Sequence, residues 1–412
     1  MKILSIETSC DETAVSIIEA SGGLEKPTFN VLSNLVLSQV NIHTQYGGVF
    51  PNLAKREHAK NLVPLVKKAL EEAKLLSEKN HKLGAHDIEK IKNDLVHEPD
   101  LFTAIVDFLS ENGKPDIDLI AVTYGPGLEP ALWVGINAAK ILGFAWGVPV
   151  MPVNHMEGHI CSVLAGQNDS VLNFPALALL ISGGHTELVL ISEWLKHKVV
   201  GQTRDDAVGE AYDKVARMMG LQYPGGPQIA AFAKELRELG QKSRFEFPRP
   251  MIHSNNLDFS FSGLKTAVLY EIRKILAIGL VDSTTVAGAT LPTEIKKEIA
   301  LAFEDAVVET LVVKTSQAID TYKPQTLVIA GGVIANTTIR QTFESLIREL
   351  GVASNIKISL LVPGRELATD NALMIALAAY IRFMKNPDAA KTNESLAEIR
   401  AEGNVQLGEL LG

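Results

Sequence analysis

Two stretches of this chain repeat one pattern, and that repetition restricts the fold more than any other feature. Residues 3–18 read ILSIETSCDETAVSII and residues 178–191 read ALLISGGHTELVLI. Each is an apolar strand, a tight polar turn and a second strand. Each is followed further along by a strand that ends in a glycine turn, IAVTYGPG at 120–127 and LVIAGG at 327–332. A β-turn-β unit and a later β-α unit, used twice in the same order, predict an α/β chain. The expected architecture is two RNase-H-like lobes facing one another across a nucleotide-binding cleft.

The remaining pattern supplies the rest of that frame. Short runs rich in Ile, Val and Leu predict strands at 2–7, 14–19, 31–37, 117–123 and 148–153, then at 175–182, 187–192, 326–330 and 356–362. Helical spacing appears at 57–76, 131–146, 209–219, 263–278, 292–321, 334–350 and 371–384. The expected lobes are 1–150 and 151–385, the second carrying the metal and nucleotide site, with the last helix free to pack on the first lobe. Residues 77–114 read as a polar insertion with one amphipathic helix at 100–111; its His81, His86 and His97 are irregularly spaced and read as solvated. Residues 386–412 read as a polar C-terminal tail. This duplicated layout resembles that of the actin/Hsp70/sugar-kinase (ASKHA) superfamily.

Composition narrows the setting. The 412 residues are 46% hydrophobic, enough for two cores. The net charge of -9 does not favour a polyanion, although a local basic patch could still meet one. The two cysteines, Cys10 and Cys161, imply no disulfide framework and suit a reducing, cytoplasmic setting. The start of the chain has no long apolar run of the secretory kind. The most membrane-like stretch, 131–153, is interrupted by Asn137 and Lys140 and closed by Pro149 and Pro152. It reads as a buried helix followed by a buried strand, with no membrane contact.

The chemistry gathers around VNHMEGHI. A helix starting near Asn154 puts His155 and His159, four apart, on one face, where both imidazoles reach one metal ion. Glu157 is rotated off that face, and the metalloprotease arrangement, with Glu beside the first His of HExxH, is not met. A third ligand must come from elsewhere. Asp370, in LATDNALMIA ahead of an apolar helix, is the candidate, and it also reads as a helix N-cap.

Four glycine turns, YGPG, ISGGHT, YPGGP and AGGVIAN, lie where backbone N–H groups could converge on phosphate oxygens. No Walker A pattern occurs. Asp11 and Glu12 sit in the first hairpin turn, where carboxylates form turns or position a metal, a water or an amine. Asp213 is placed on a helix and could accept from a ribose. Lys55, Arg56 and Lys60 form a basic run at a helix start, the place to look for contact with a nucleic-acid backbone.

In their order along the chain, IETSCDETA, YGGVFPNLAKREHAKN, VTYGPGL, VNHMEGHI, LISGGHTEL, GEAYDKVARMMGLQYPGGP, DFSFSGLKTAV, AGGVIAN and ATDNALMIA resemble the universal tRNA N6-adenosine threonylcarbamoyltransferase family. The resemblance implies transfer of a threonylcarbamoyl group from threonylcarbamoyl-adenylate to N6 of adenosine 37 in tRNAs reading codons that begin with A. It implies iron or zinc on His155, His159 and Asp370, and substrate contacts at Leu180, Ile181, Ser182, Gly183, Gly184, Asp213, Gly226 and Asn336. It assigns activity to Asp11 and Glu12. Leu180 stands where archaeal and eukaryotic relatives have a tyrosine ligand. The implied partners, besides tRNA and the adenylate, are an inactive paralogue and a small ATPase. The alternatives are an ATPase or kinase on the same fold, a metalloprotease, and a non-catalytic scaffold, which would be expected to lose the metal ligands.

Overall fold

The computed structural model describes residues 1–78, 84–96, 98–165, 171–277, 291–354 and 357–408. Its first part runs β1 (Lys2–Glu7), β2 (Glu12–Ser21), β3 (Thr28–Ser38), α1 (Val40–His43), α2 (Pro51–Glu72), α3 (Ala85–Asp94) and α4 (Pro99–Glu111). It continues through β4 (Leu119–Gly125), α5 (Glu129–Trp146), β5 (Val150–Asn154) and α6 (His155–Cys161). The second part holds β6 (Ala176–Ile181), β7 (Thr186–Glu193), β8 (Lys196–Gln202), α7 (Val208–Met218), α8 (Gly225–Glu238) and α9 (Ser262–Ala277). After these come α10 (Thr293–Tyr322), β9 (Thr326–Ala330), α11 (Thr337–Ser354), β10 (Ser359–Leu361) and α12 (Ala372–Lys385).

The chain forms two compact units. Unit 1 is residues 1–42, 49–171 and 370–412; unit 2 is 43–48 and 172–369. Among the described residues each unit holds a five-stranded sheet, in the order β3-β2-β1-β4-β5 in unit 1 and β8-β7-β6-β9-β10 in unit 2. In both, the first three strands pair antiparallel and the last two join in parallel. The repeat read from the sequence is therefore a repeat of topology, an RNase-H-like lobe made twice.

In unit 1 the period of two along β1 sorts the side chains. Leu4 and Ile6 join an apolar core with α2, α4 and α5. Ile3, Ser5 and Glu7 face the other way. There Ser5 Oγ donates to the carbonyl of Ala372 at 2.7 Å, on α12. The face of the sheet opposite the α2/α5 core thus receives α12, and Glu7 ends β1 on that side. In unit 2, Leu177, Leu179, Ile181, Leu327 and Ile329 pack with α7 to α11. The 30-residue α10 carries buried residues from Ile295 to Ile319, including Glu304 and Lys314.

Three expectations about organisation are corrected. The boundary at 150 fails because β5 pairs in register with β4, Val150 opposite Ile120, and so carries α6 into unit 1. The metal candidates therefore belong to the first unit and not to the second. The last helix does pack on the first lobe. The stretch after 386 is no polar tail: Leu396, Ile399 and Val405 are buried in the unit 1 core, and Lys391 exchanges backbone hydrogen bonds with Val150. The insertion is likewise built in, since Leu101, Ile105, Phe108 and Leu109 of α4 are buried in that core. His86 is exposed as expected, while His81 and His97 lie outside the described residues. No described helix is long and apolar enough to cross a membrane.

Candidate functional site

The site in unit 1 begins with a helix cap. Asn154 closes β5, and its Oδ1 accepts the backbone N–H of Met156 at 2.9 Å and of Glu157 at 3.4 Å. A cap of this kind is worth about 1 kcal/mol, and it starts α6 at His155. One turn later comes His159, on the same face. The two rings meet edge to face with centroids 4.7 Å apart.

Asp370 completes the cluster. Its Oδ1 lies 3.5 Å from His155 Nε2 and 3.2 Å from His159 Nε2. The three ligand atoms fall within 4.8 Å of one another. The N-cap role that the sequence also offered Asp370 is taken by its neighbour: Asn371 Oδ1 accepts the N–H of Met374 at 3.0 Å. This frees the Asp370 carboxylate to face the imidazoles. Its side chain keeps 22% of its surface exposed, so one side of the cluster stays open.

The trio fits a divalent metal ion. His159 is fully buried, and neither ring nitrogen has a hydrogen-bond partner; Nε2 faces Asp370 at 3.2 Å without hydrogen-bond geometry. A buried polar nitrogen left this way is costly. An ion held by His155 Nε2, His159 Nε2 and an Asp370 oxygen would satisfy it. Two imidazoles and one carboxylate suit iron or zinc and leave coordination positions open.

A supporting shell stands behind His155. Its Nδ1 lies 3.0 Å from Glu7 Oε2 and 3.2 Å from Ser9 Oγ. A carboxylate only accepts, so Nδ1 carries a proton and Nε2 is turned to Asp370. Glu7 Oε2 also accepts the Thr123 hydroxyl at 2.6 Å, and Oε1 accepts the Ser9 N–H at 2.5 Å. Burial alone would raise the Glu7 pKa, but His155 outweighs it and holds the group below its usual range. Burial would lower His155, yet Asp370 and Glu7 hold it well above 6.5. Burial raises Asp370 too, and His155 and His159 more than offset it, leaving a depressed carboxyl.

Asp11 ends the loop after β1, and Glu12 opens β2. Asp11 is buried with Oδ2 unpartnered. Glu12 accepts from Ser38 Oγ at 3.2 Å, and burial with the charges of Asp11 and Asp370 pushes it up to about 10. The loop's backbone is fastened at three successive carbonyls: Ser9 accepts from Leu128 N–H at 2.7 Å, Cys10 lies 3.0 Å from His58 Nε2, and Asp11 accepts from Gln39 N–H at 2.9 Å. Neither Glu7 nor His58 was singled out in the sequence. The signal for Glu7 was a carboxylate at the end of an apolar strand, in step with Ile3 and Ser5. Of the basic run, Lys55 is 3.3 Å from the buried Glu98 carboxylate and Arg56 is 3.8 Å from Glu57, while Lys60 is exposed.

Unit 2 carries the other predicted residues. Leu180 and Ile181 are wholly buried in β6, with no exposed side-chain surface. Ser182, Gly183 and Gly184 form the turn to β7, and Ser182 Oγ accepts the N–H of His185 at 3.0 Å. Asp213 Oδ1 accepts the N–H of Gly225 at 2.7 Å, at the start of α8. Asn336 is held by structural bonds. Its Oδ1 accepts from Thr338 and Ile339 N–H at 2.8 and 3.2 Å, and Nδ2 donates to the buried Glu304 at 2.6 Å. Gly183, Gly184, Gly226 and Gly332 differ from ordinary turn glycines. A Cβ at any of them would meet nothing within 4 Å, and none has a positive φ. Neither packing nor backbone conformation requires glycine there.

A family model described as tRNA N6-adenosine threonylcarbamoyltransferase matches residues 30–82 and 96–377. The chain belongs to this family. It is 41% identical over 385 residues to the tRNA N6-adenosine threonylcarbamoyltransferase of Thermodesulfovibrio yellowstonii, covering 93% of this chain and 95% of the relative. The unmatched stretch, 83–95, contains α3, so α4 is part of the family's own frame and the departure is shorter than 77–114. Among solved structures the chain is similar to the activator of the 2-hydroxyisocaproyl-CoA dehydratase from Clostridium difficile. That likeness has 11% identity and a TM-score of 0.43, over 95% of this chain and 99% of the other. The ROK hexokinase from Thermus thermophilus is similar at 14% identity and a TM-score of 0.42, over 94% and 100%. The chain is accordingly a transferase of tRNA modification. Met156 stands where a HExxH protease has its Glu, and Glu157 is paired with Arg382.

Proposed function

We propose that this chain moves the threonylcarbamoyl group of threonylcarbamoyl-adenylate to N6 of adenosine 37 in tRNAs that read codons beginning with A, using one divalent iron or zinc ion. The reading is carried by the convergence of His155, His159 and Asp370 within 4.8 Å, in a chain of this family. In the reaction the N6 amine attacks the carbamoyl carbon. A C–N bond forms, the C–O bond to the adenylate phosphate breaks, AMP leaves with the electron pair, and the amine gives up a proton.

The residues divide the work. Asp11 Oδ2, buried and unpartnered, is assigned as the acceptor for the amine proton. Glu12, whose pKa is raised by burial and by the charges of Asp11 and Asp370, is assigned to orienting the amine. An exocyclic amine is a poor nucleophile, so a loop fastened at three carbonyls serves positioning. His155, His159 and Asp370 hold the ion, with Glu7 fixing the His155 tautomer; the bound ion supplies a Lewis acid for the charge that develops. The glycines at 183, 184, 226 and 332 are assigned to the adenylate, because the bare backbone there leaves room for a ligand to approach. Asp213 and Asn336 are assigned to shaping these turns. Base 37 lies in a loop and is extruded at modest cost. An inactive paralogue and a small ATPase are proposed partners, in the cytoplasm where the tRNA is found.

Single-turnover transfer from preformed adenylate tests the assignment of the acids. D11N and E12Q should each slow transfer by about a hundredfold with adenylate binding unchanged. Wild-type rates in both would remove the acid loop from the mechanism.

A further inference from the structure

Glu157 sits between the two histidines in sequence but on the far side of α6. Its Oε2 is 2.5 Å from Arg382 Nη1, and the two side chains are only 7% and 12% exposed. Arg382 belongs to the last turn of α12, the helix whose first turn follows Asp370. Its side chain leans back towards the start of that helix, as helical side chains do. A second point holds the same two helices together. Gly158 brings α6 against α12 so closely that a Cβ there would lie 2.8 Å from Ile375 Cδ1 and 3.0 Å from Met374 Cγ.

The trio draws its ligands from both helices, two from α6 and one from the residue ahead of the α12 cap. A helix of seven residues does not hold its own orientation without tertiary contacts. Gly158 allows close approach but does not resist rotation, because a bare backbone has nothing to interlock. A buried guanidinium–carboxylate contact is directional and does resist it. We propose that the Glu157–Arg382 pair is a positioning clamp, which sets the rotation of α6 on α12 and so the geometry of His155 and His159 relative to Asp370. It touches neither substrate nor metal, and its effect is to hold the ligands preorganised. The inference rests on the metal-site reading above.

The test is cobalt uptake by the full-length chain, purified with chelator and titrated with Co²⁺ while visible absorption and chelator competition are followed. E157M/R382M removes both charges at similar side-chain length and leaves no orphan charge, so the fold is expected to survive. The clamp predicts a thermal midpoint within a few degrees of wild type, cobalt affinity weaker by about tenfold and an altered ligand-field spectrum. A folded double variant with wild-type affinity and spectrum overturns the proposal. Should that variant not fold, R382K, which keeps the charge and loses the fork, is read by the same two criteria. Wild-type protein that takes up no cobalt would instead defeat the metal reading, and the clamp with it.

Discussion

Glu7 Oε2 lies 3.0 Å from His155 Nδ1, and the same oxygen accepts the Thr123 hydroxyl at 2.6 Å. Strand alternation explains why these groups meet. Glu7 follows Ile3 and Ser5 on the face of β1 that points away from the Leu4 and Ile6 core, and α6 and α12 lie on that side. All the groups around its two oxygens are donors: His155 Nδ1–H, Thr123 O–H and Ser9 N–H.

Glu7→Gln therefore sets an N–H against at least one donor. Metal affinity should fall by about 10- to 100-fold, with loss of about 1–3 kcal/mol of stability for the mismatched buried group. Chelator competition and thermal unfolding measure the two. Wild-type affinity in a folded E7Q protein would show that His155 does not need this support.

The raised pKa of His155 gives a pH dependence with a definite sign. Its folded value lies above 6.5, so the stability of the protonated ring between Asp370 and Glu7 is complete below that pH. It is lost as pH rises through the higher folded value. Metal uptake runs the other way, since the ion replaces the proton on Nε2. Chelated protein should lose thermal stability on the alkaline side, while the metal concentration for half-saturation should drop as pH rises. Uptake that does not vary with pH would contradict this assignment.

Asp370 and Asn371 are adjacent and separable. N371A removes the α12 cap and should cost about 1 kcal/mol while leaving one metal bound per chain. D370N should abolish that metal and leave α12 intact. Elemental analysis and unfolding curves distinguish them, and metal loss in N371A at wild-type stability would reverse the roles.

Two neighbouring glycines make a contrasting pair. A Cβ at Gly225 would lie 2.2 Å from Ala216 Cβ, so G225A should destabilise by about 1–3 kcal/mol through overpacking. A Cβ at Gly226 meets nothing within 4 Å. G226A should keep the wild-type midpoint and weaken adenylate binding, about tenfold for a methyl group that must be accommodated against the ligand. Unchanged adenylate binding in G226A would remove this turn from the substrate site.

Much of the fold was legible because its signals are local. β1 and β9 fall at the bounds read from periodicity, and the duplicated hairpins mark the two sheets. β8 escaped because Lys196, His197 and Lys198 hide its alternation at an exposed edge. α8 escaped because it opens on Gly225, Gly226 and Pro227, which read as a turn. The lobe boundary was misplaced because strand pairing between β4 and β5 is not a local property. The convergence of His155, His159 and Asp370 was legible as spacing plus a carboxylate; that Asn371 would cap α12 and free Asp370 was not, since both residues cap helices well. Asn336 could be found as a polar residue after a glycine turn, but its commitment to Glu304, 32 positions earlier, depends on how α10 packs.

Threonylcarbamoyl transfer by this chain should depend on the His155/His159/Asp370 site. Nucleoside mass spectrometry of unmodified tRNA, after incubation with this chain, an adenylate-forming synthase, threonine, bicarbonate, ATP and the partner proteins, tests it most directly. Threonylcarbamoyladenosine is expected at position 37 with wild-type protein, and its loss is expected with H159A and D370N. No modified adenosine in the complete mixture, or equal amounts with the variants, would contradict it.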